Sequence, residues 1–525
     1  MTKAVADTGL AREYKSVFDL GGVPSFQQFY NLGIFVWKWL WKGFYKAWHV
    51  VPSPTIANPN RKHELYRLNM AKAVCSEMAG LVWGEECTID VSIDGRNEDT
   101  EDPLNAFVHY VLDGNAFGEK MQESIEEGLA LGGSALKTWA EARHDENGNE
   151  IPESRKLMIG YAMADQFVPI SWDNARVTEG VFISRIAKGG WYYTRLEWHR
   201  WNGLTYLITN ELYRSEMQTG EGKDSNQDIL GVRYPLAEIY PYLNEITEVP
   251  VEESLFTYWR TPIANNLDDN SPLGMSIYGN ALETLHALDI CYDSFVREFR
   301  LGKKRIIVPA RAVRSVVDPQ TGTLVRYFDA NDETYEALAS DEKDDLKISD
   351  NSIELRVEEH VSAINAFLSI LCLQIGFSAG TFTFDAHNGL KTATEVVSEN
   401  SKTYKTIKTV QNQLKPAIEH LVRNIIDVAI LYDMDYEGQK ISSLVAPGYN
   451  INVTFDDGIT QDRQTNINEG VMLVGAGLLS KFSFMTDPKY GQGLTAEDAT
   501  KELERIKAEG TGTVNDSLSL FGFGE

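Results

Sequence analysis

Positive charge is what this chain is shortest of: its 525 residues carry 49 Lys and Arg against 76 Asp and Glu, a formal net charge of −27. A surface that wraps nucleic acid neutralises phosphates with Lys and Arg, so the chain as a whole is excluded from that class, and any contact with nucleic acid must be local or weak. Cysteine is scarce too. Cys75, Cys87, Cys291 and Cys372 stand far apart with no CxxC or Cys/His ligand spacing, which points to passive core thiols rather than disulfides or a zinc site. No stretch reads as a membrane span of ~18 apolar residues, and the N-terminus lacks the basic-then-apolar layout of a signal peptide. The expectation is a product that stays soluble inside the cell that makes it.

Catalytic signatures are missing as well. The zinc-protease HExxH, the nucleophile elbow GxSxG, the dinucleotide GxGxxG and the EF-hand loop do not occur, and the string nearest a phosphate-binding loop, GEGKDS at 220–225, has no hydroxyl after Lys223. Each of the nine histidines is isolated, including His387 in FDAHNG, so no catalytic residue, metal or cofactor is expected. An acidic chain rich in Trp and Tyr suits an intracellular glycosidase-like hydrolase, which works with paired carboxylates. No Asp or Glu pair stands out to carry that rival.

What is present is helix and sheet in alternating blocks, an α+β chain. Residues 31–51, NLGIFVWKWLWKGFYKAWHVV, set Trp37, Trp39, Trp41 and Trp48 among Lys38, Lys42 and Lys46. One helix with a lysine stripe would suit a membrane interface, making a peripheral membrane protein a third reading. A segment docked on its own domain or on a neighbour fits an acidic protein better. Apolar spacing predicts helices over 61–83, 103–131 and 271–301, the last with Ser271 as N-cap and Pro272 at its first position. Short alternating runs from 135 to 260 predict an antiparallel sheet region. A small β-rich insert follows Gly302, and 449–457 reads as a lone strand before helices near 461–475 and 495–509.

Residues 361–432 are the hardest to fit to an enzyme core. They read as an apolar helix, a glycine-interrupted loop and a helix of about forty residues. Tyr404, Ile407, Val410, Leu414, Ile418, Leu421 and Ile425 recur at steps of three and four, so one face is buried along nearly its whole length. At 1.5 Å per residue such a helix spans roughly 60 Å, more than one small domain needs. Pro416 inside it removes a backbone hydrogen bond and should bend it.

Four stretches carry a likeness to a known family: RKHELYRLNMAKAVCSEMAGLVWGE, EEGLALGGSALKTW, SPLGMSIYGNALETLHALDICYDSFVREFRLGKKRIIVP and GLKTATEVVSENSKTYKTIKTVQNQLKPAIEHLV. With the order of elements they resemble the tailed-bacteriophage portal proteins of the SPP1-like or A118-like branch. The resemblance implies a homo-oligomeric ring, usually a dodecamer, at one capsid vertex of the virion, assembled in the host cytoplasm. It implies a non-enzymatic head-tail connector for DNA packaging and ejection. Its partners would be the terminase large subunit, a head-tail adaptor, major capsid and scaffolding proteins, and double-stranded DNA passing weakly and without sequence preference.

The family's parts carry over as a wing (1–270), first stem helix (271–301), clip (302–356), second stem helix (357–376), tunnel loop (377–393), long helix with a returning wing strand (394–490), and crown with tail (491–525). Thr381, Phe382, Thr383, Phe384, Asp385, His387, Asn388 and Lys391 would face DNA from the tunnel loop, with Gly376, Gly380 and Gly389 giving it freedom. Arg297, Arg300, Lys303, Lys304 and Arg305 would form a basic stem band. Arg311, Arg314, Arg326 and Tyr327 would meet partners at the clip.

Overall fold

The computed structural model describes residues 26–509 apart from several stretches, chiefly 95–101, 218–229, 308–313, 328–348, 385–392 and 456–462. The Trp-rich segment opens it as helix α1 (Phe26–Trp41), a turn at Gly43 in the left-handed region, and a single helical turn α2 (Lys46–His49). The break separates Lys38 from Lys42 and Lys46, so no continuous lysine stripe forms. The aromatic side chains turn inward instead. Trp37 is buried and its carbonyl accepts a 2.8 Å hydrogen bond from Tyr278, while Trp41 donates to Glu126 at 2.9 Å beneath the Lys72 ammonium. Among the described residues no helix is long and apolar enough to cross a membrane.

Strands β1 (Val50–Pro52) and β2 (Lys62–Glu64) pair and lead to α3 (Met70–Trp83), so the helix expected over 61–83 begins only at 70. The cause is local. Asn69 sits in the left-handed region, and the N–H groups of Tyr66 and Leu68 are taken by Asp293 and Asp289 rather than by a helix. β3 (Thr88–Ile93) precedes α4 (Pro103–Gly114), where Asp102 accepts from Leu104 N–H to cap the helix and from Ile93 N–H to tie it to the strand. The span expected as one helix to 131 is two, because Ala116 adopts φ 49° before α5 (Phe117–Leu131).

Two antiparallel sheets follow. β4 (Gly133–Glu141) is the centre of a three-stranded sheet with β5 (Lys156–Met163) and β12 (Phe256–Arg260). The larger sheet runs β10 (Val232–Tyr234), β9 (Thr205–Glu216), β8 (Trp191–Asn202), β7 (Arg176–Lys188), β6 (Phe167–Asp173), with β11 (Ile246–Val249) also on β9. Phe167, Phe182 and Phe256 pack between them at ring distances of 5.0–5.6 Å. A buried polar knot sits beside these rings. Glu197 of β8 takes Lys137 of β4 at 2.5 Å, Arg195 at 2.7 Å and His199 at 3.0 Å, and His199 bonds Tyr206 at 2.9 Å. Burial disfavours the charge on Glu197, but Lys137 foremost among its three partners outweighs burial and holds the carboxyl well below its usual range.

Residues 271–281 are not helical. Ser271 accepts from Leu273 N–H in a turn, Thr261 bonds the Met275 carbonyl at 2.5 Å, and Ile277 N–H goes to Leu129. This threads Leu273, Met275 and Tyr278 through the core, and α6 (Leu282–Leu301) starts afterwards. The insert then contributes β13 (Arg305–Ile307), β14 (Arg314–Val317), β15 (Leu324–Tyr327) and β16 (Ser349–Asn351), paired β13–β16 and β14–β15. α7 (Val357–Ile375) returns against α6.

The long helix α8 (Ala393–Leu431) runs 39 residues through Pro416. Ile407, Val410, Leu414, Ile418, Leu421 and Ile425 are all buried as their spacing predicts, against β4, β12 and α3, with Tyr404 half-buried at the end of the stripe. A small β17 (Asp435–Tyr436) and β18 (Gln439–Lys440) hairpin and a turn, α9 (Ile441–Leu444), lead to β19 (Tyr449–Thr454). β19 is not alone: it pairs antiparallel with β3, 356 residues earlier at Tyr449↔Ile93. Helices α10 (Arg463–Gly475), α11 (Lys481–Thr486) and α12 (Ala496–Glu509) end the described chain.

Candidate channel wall and insert

The centre of interest is the turn from α7 into its following loop. α7 ends because Gly376 adopts φ 88° and its N–H closes on the Cys372 carbonyl. The Gly376 carbonyl accepts from Thr406 Oγ1 of α8 at 2.7 Å, and a Cβ at 376 would meet that same hydroxyl at 2.7 Å. Gly376 is therefore a clamp between helices and not a loose bracket. Gly380, at φ 89° in open space, keeps the freedom expected of it. Ser378 N–H donates to Thr403 Oγ1 at 2.8 Å, and Lys402 donates to the Leu373 carbonyl at 2.7 Å, so three residues of α8 fix the loop's first turn.

The next residues lean back on α7. Thr381 donates to the Ser378 carbonyl, Phe382 packs on Phe377 at 5.3 Å, and Phe384 N–H donates to Asn365 Oδ1 at 3.0 Å. Thr383 lies 3.5 Å from the same amide, and Phe384 is 54% exposed. Asp385, His387, Asn388, Gly389 and Lys391 lie outside the described residues. Between His360 and Asp385 the chain has no Asp, Glu, Lys or Arg. Past its first turn, which exposes Glu358 and Glu359, the outer face of α7 is correspondingly uncharged, with Ala363, Ala366, Ser369, Ile370 and Leu373 exposed, Leu373 at 69%.

Arg297 and Arg300 project from the last turns of α6, both exposed and, among the described residues, without an ion pair. Lys303, Lys304 and Arg311 lie outside the described residues. Arg305 stands opposite Asn351 in β13–β16, while Arg314 faces Tyr327 and Arg326 faces Ser315 across β14–β15. The backbone thus brings Arg314, Arg326 and Tyr327 onto one hairpin and leaves the two exposed α6 arginines at the insert's base.

Sequence reading missed the residue that closes that base. Glu298, which only seemed to interrupt the basic run, accepts from Arg356 Nη2 at 2.9 Å and Nε at 3.2 Å. The hydrogen bonds from Arg356 hold its carboxyl at about 2. Asn365 was missed too; a lone Asn in an apolar helix, one turn from where the next loop must fold back, was the available signal. Among the described residues no group of His, Cys, Asp and Glu is arranged to hold a metal ion.

A sheet-rich lobe is followed by two helices that pack together and carry a β insert, by a loop whose residues 377–384 hold no charge, and by a long helix that returns to the lobe. The chain belongs to the family described as phage portal protein, SPP1 Gp6-like, whose model matches residues 40–516. No curated protein matches it. Membership implies, in general, an oligomeric ring at a capsid vertex that works with capsid and terminase.

Proposed function

We propose that twelve copies close into a ring through the outer face of α7, and that the loop after it lines the passage for double-stranded DNA. The observation that carries this reading is the charge-free run from 361 to 384 in a chain of net charge −27, with Ile370 and Leu373 exposed on its helix. Isolated apolar residues on a surface are ordinary, but a helix face without charge from Val361 to its end suits burial against another copy. Beyond the seam, the loop carries a single Lys391 against Asp385, so it offers phosphates only a loose hold, which a moving polymer requires.

The insert between Gly302 and Arg356 is the docking end, meeting the terminase large subunit during packaging and the head-tail adaptor afterwards through Arg314, Arg326 and Tyr327. The lobe of residues up to 270 with β19 faces the major capsid and scaffolding proteins. The resemblance and the placement of these residues at the end of the α6–α7 pair support both assignments.

Ile370→Glu with Leu373→Glu tests the seam. Burying two such side chains contributes about 1.5–3 kcal/mol each per interface, and charges there disfavour closure. Purified wild-type chain should give rings in negative-stain images, and the double variant monomers with unchanged melting behaviour. Rings of the same size from the double variant would overturn the reading.

A further inference from the structure

Past β19 the chain stops burying its large apolar side chains. The main core takes its last contribution from Phe455, and in α10–α12 only Gly470, Gly491 and Ala499 are buried among the described residues. α11 packs on both α10 and α12, and a Cβ at Gly470 would meet the Phe484 ring at 2.6 Å. Even Phe484 is only half-buried. Met472 at 70% and Leu478 at 78% stand out from the end of α10 and its turn, and Val471 and Phe482 are exposed as well. A unit of roughly fifty residues holds together alone only when its core is well filled, and here that core is missing.

Polarity divides the unit. α12 carries exposed ion pairs, Lys501 with Asp498 at 3.8 Å and Arg505 with Glu502 at 3.1 Å. Residues 470–480, the end of α10 and its turn, hold no charged side chain. Copies that each carry a net charge of −27 repel one another, so an uncharged apolar face is where two of them can touch without like charges opposed. The family assembles as a ring, and in a ring equivalent units lie at one height around the axis.

We propose that the apolar face of α10 and α11 is covered by the same unit of an adjacent copy, a reading that rests on ring closure but not on the α7 seam. The C-terminal unit then gains its core only when the ring closes. A chain outside the ring keeps its lobe, while its last helices lack fixed packing until a neighbour arrives.

Amide hydrogen exchange of the full-length protein, read by mass spectrometry, tests this on wild-type rings, on Met472→Glu with Leu478→Glu, and on Ile370→Glu with Leu373→Glu. Met472 and Leu478 are exposed in the single chain, so charges there disturb nothing unless a partner covers them. Peptides from 463–509 should be protected in wild-type rings and exchange about tenfold faster or more in monomers of the Ile370/Leu373 variant, with β4 and β12 unchanged. Rings of the Met472/Leu478 variant should show the same fast exchange, confined to that unit. If the Ile370/Leu373 variant still closes into rings, the seam reading alone falls, and the Met472/Leu478 comparison decides by itself. Equal protection in rings and monomers, or full protection in the Met472/Leu478 variant, overturns the inference. So does protection of wild-type rings that disappears when residues 510–525 are removed, because the chain's own tail would then be the cover.

Discussion

Arg356, at the start of α7, grips the carboxylate of Glu298, one turn before the end of α6, through two guanidinium nitrogens at 2.9 and 3.2 Å. The bond ties together the two chain ends of the β-rich insert, and the Arg356 N–H adds a third contact at 3.4 Å. Phe295 stacks near His360 across the same helix pair at 5.5 Å.

Arg356→Ala should loosen that base without unfolding the lobe. Limited proteolysis is expected to cut faster between 299 and 355, with the main melting transition unchanged. Because Glu298 has its pKa depressed to about 2, the contact's contribution is present above about 4.5 and fades as pH falls toward 2. Protection from cleavage at pH 5 and pH 8 should be alike.

Glu197→Gln attacks the polar knot between the two sheets. It leaves Lys137, whose side chain is 14% exposed, without its carboxylate, and removing one partner from such a largely buried pair costs about 3–5 kcal/mol. Denaturant unfolding should show a loss of that size. A change below about 1 kcal/mol would mean that Lys137 escapes to water.

Glu127 gives a pH-dependent effect of opposite sign to Glu298. Burial first, and then Glu123, Asp165 and Glu126, push its carboxyl up to about 7 against the pull of Lys38. A raised carboxyl pKa means that stability falls as pH rises from about 4.5 through 7. Glu127→Gln should therefore stabilise at pH 8 by about 1 kcal/mol, discounted for partial exposure, and do nothing at pH 5. Thermal unfolding at the two values checks it.

Asn424 is fully buried on α8 with both amide atoms unpartnered among the described residues. Its neighbours Leu421, Ile425 and Val428 are apolar core. Asn424→Leu, close in volume, should raise stability by about 1–3 kcal/mol, the cost of an unsatisfied buried polar group. Chemical denaturation of the purified chain reads this out.

Deleting Thr381 to Lys391 should leave rings intact, since the turn's anchors at Gly376, Ser378, Thr403 and Thr406 remain. Packaging assays are expected to show poor DNA retention. Normal packaging after deletion would sink the loop's assignment.

Legibility followed range. The buried stripe of α8 was readable because a three-and-four spacing is local and faces one core, and the antiparallel region from 135 to 260 because each hairpin announces itself within some ten residues. Helix starts failed where the backbone was claimed by distant groups: Tyr66 and Leu68 by Asp293 and Asp289, Ile277 by Leu129. Asn69 and Ala116, left-handed without glycine, carry no signal a sequence pattern reveals. Contacts such as Glu298–Arg356 and Lys137–Glu197 pair common residue types across 58 and 60 positions, and nothing in either residue's own surroundings announces them.

The pairing of β3 with β19 has a consequence for timing. At about 5–20 residues per second of translation, the edge at Thr88–Ile93 waits roughly 20 to 70 seconds before Tyr449–Thr454 is synthesised. Until then the lobe has an open strand edge, and incomplete chains stalled on the ribosome present an unfinished surface. That edge of the lobe can be sealed only when nearly all of the chain exists.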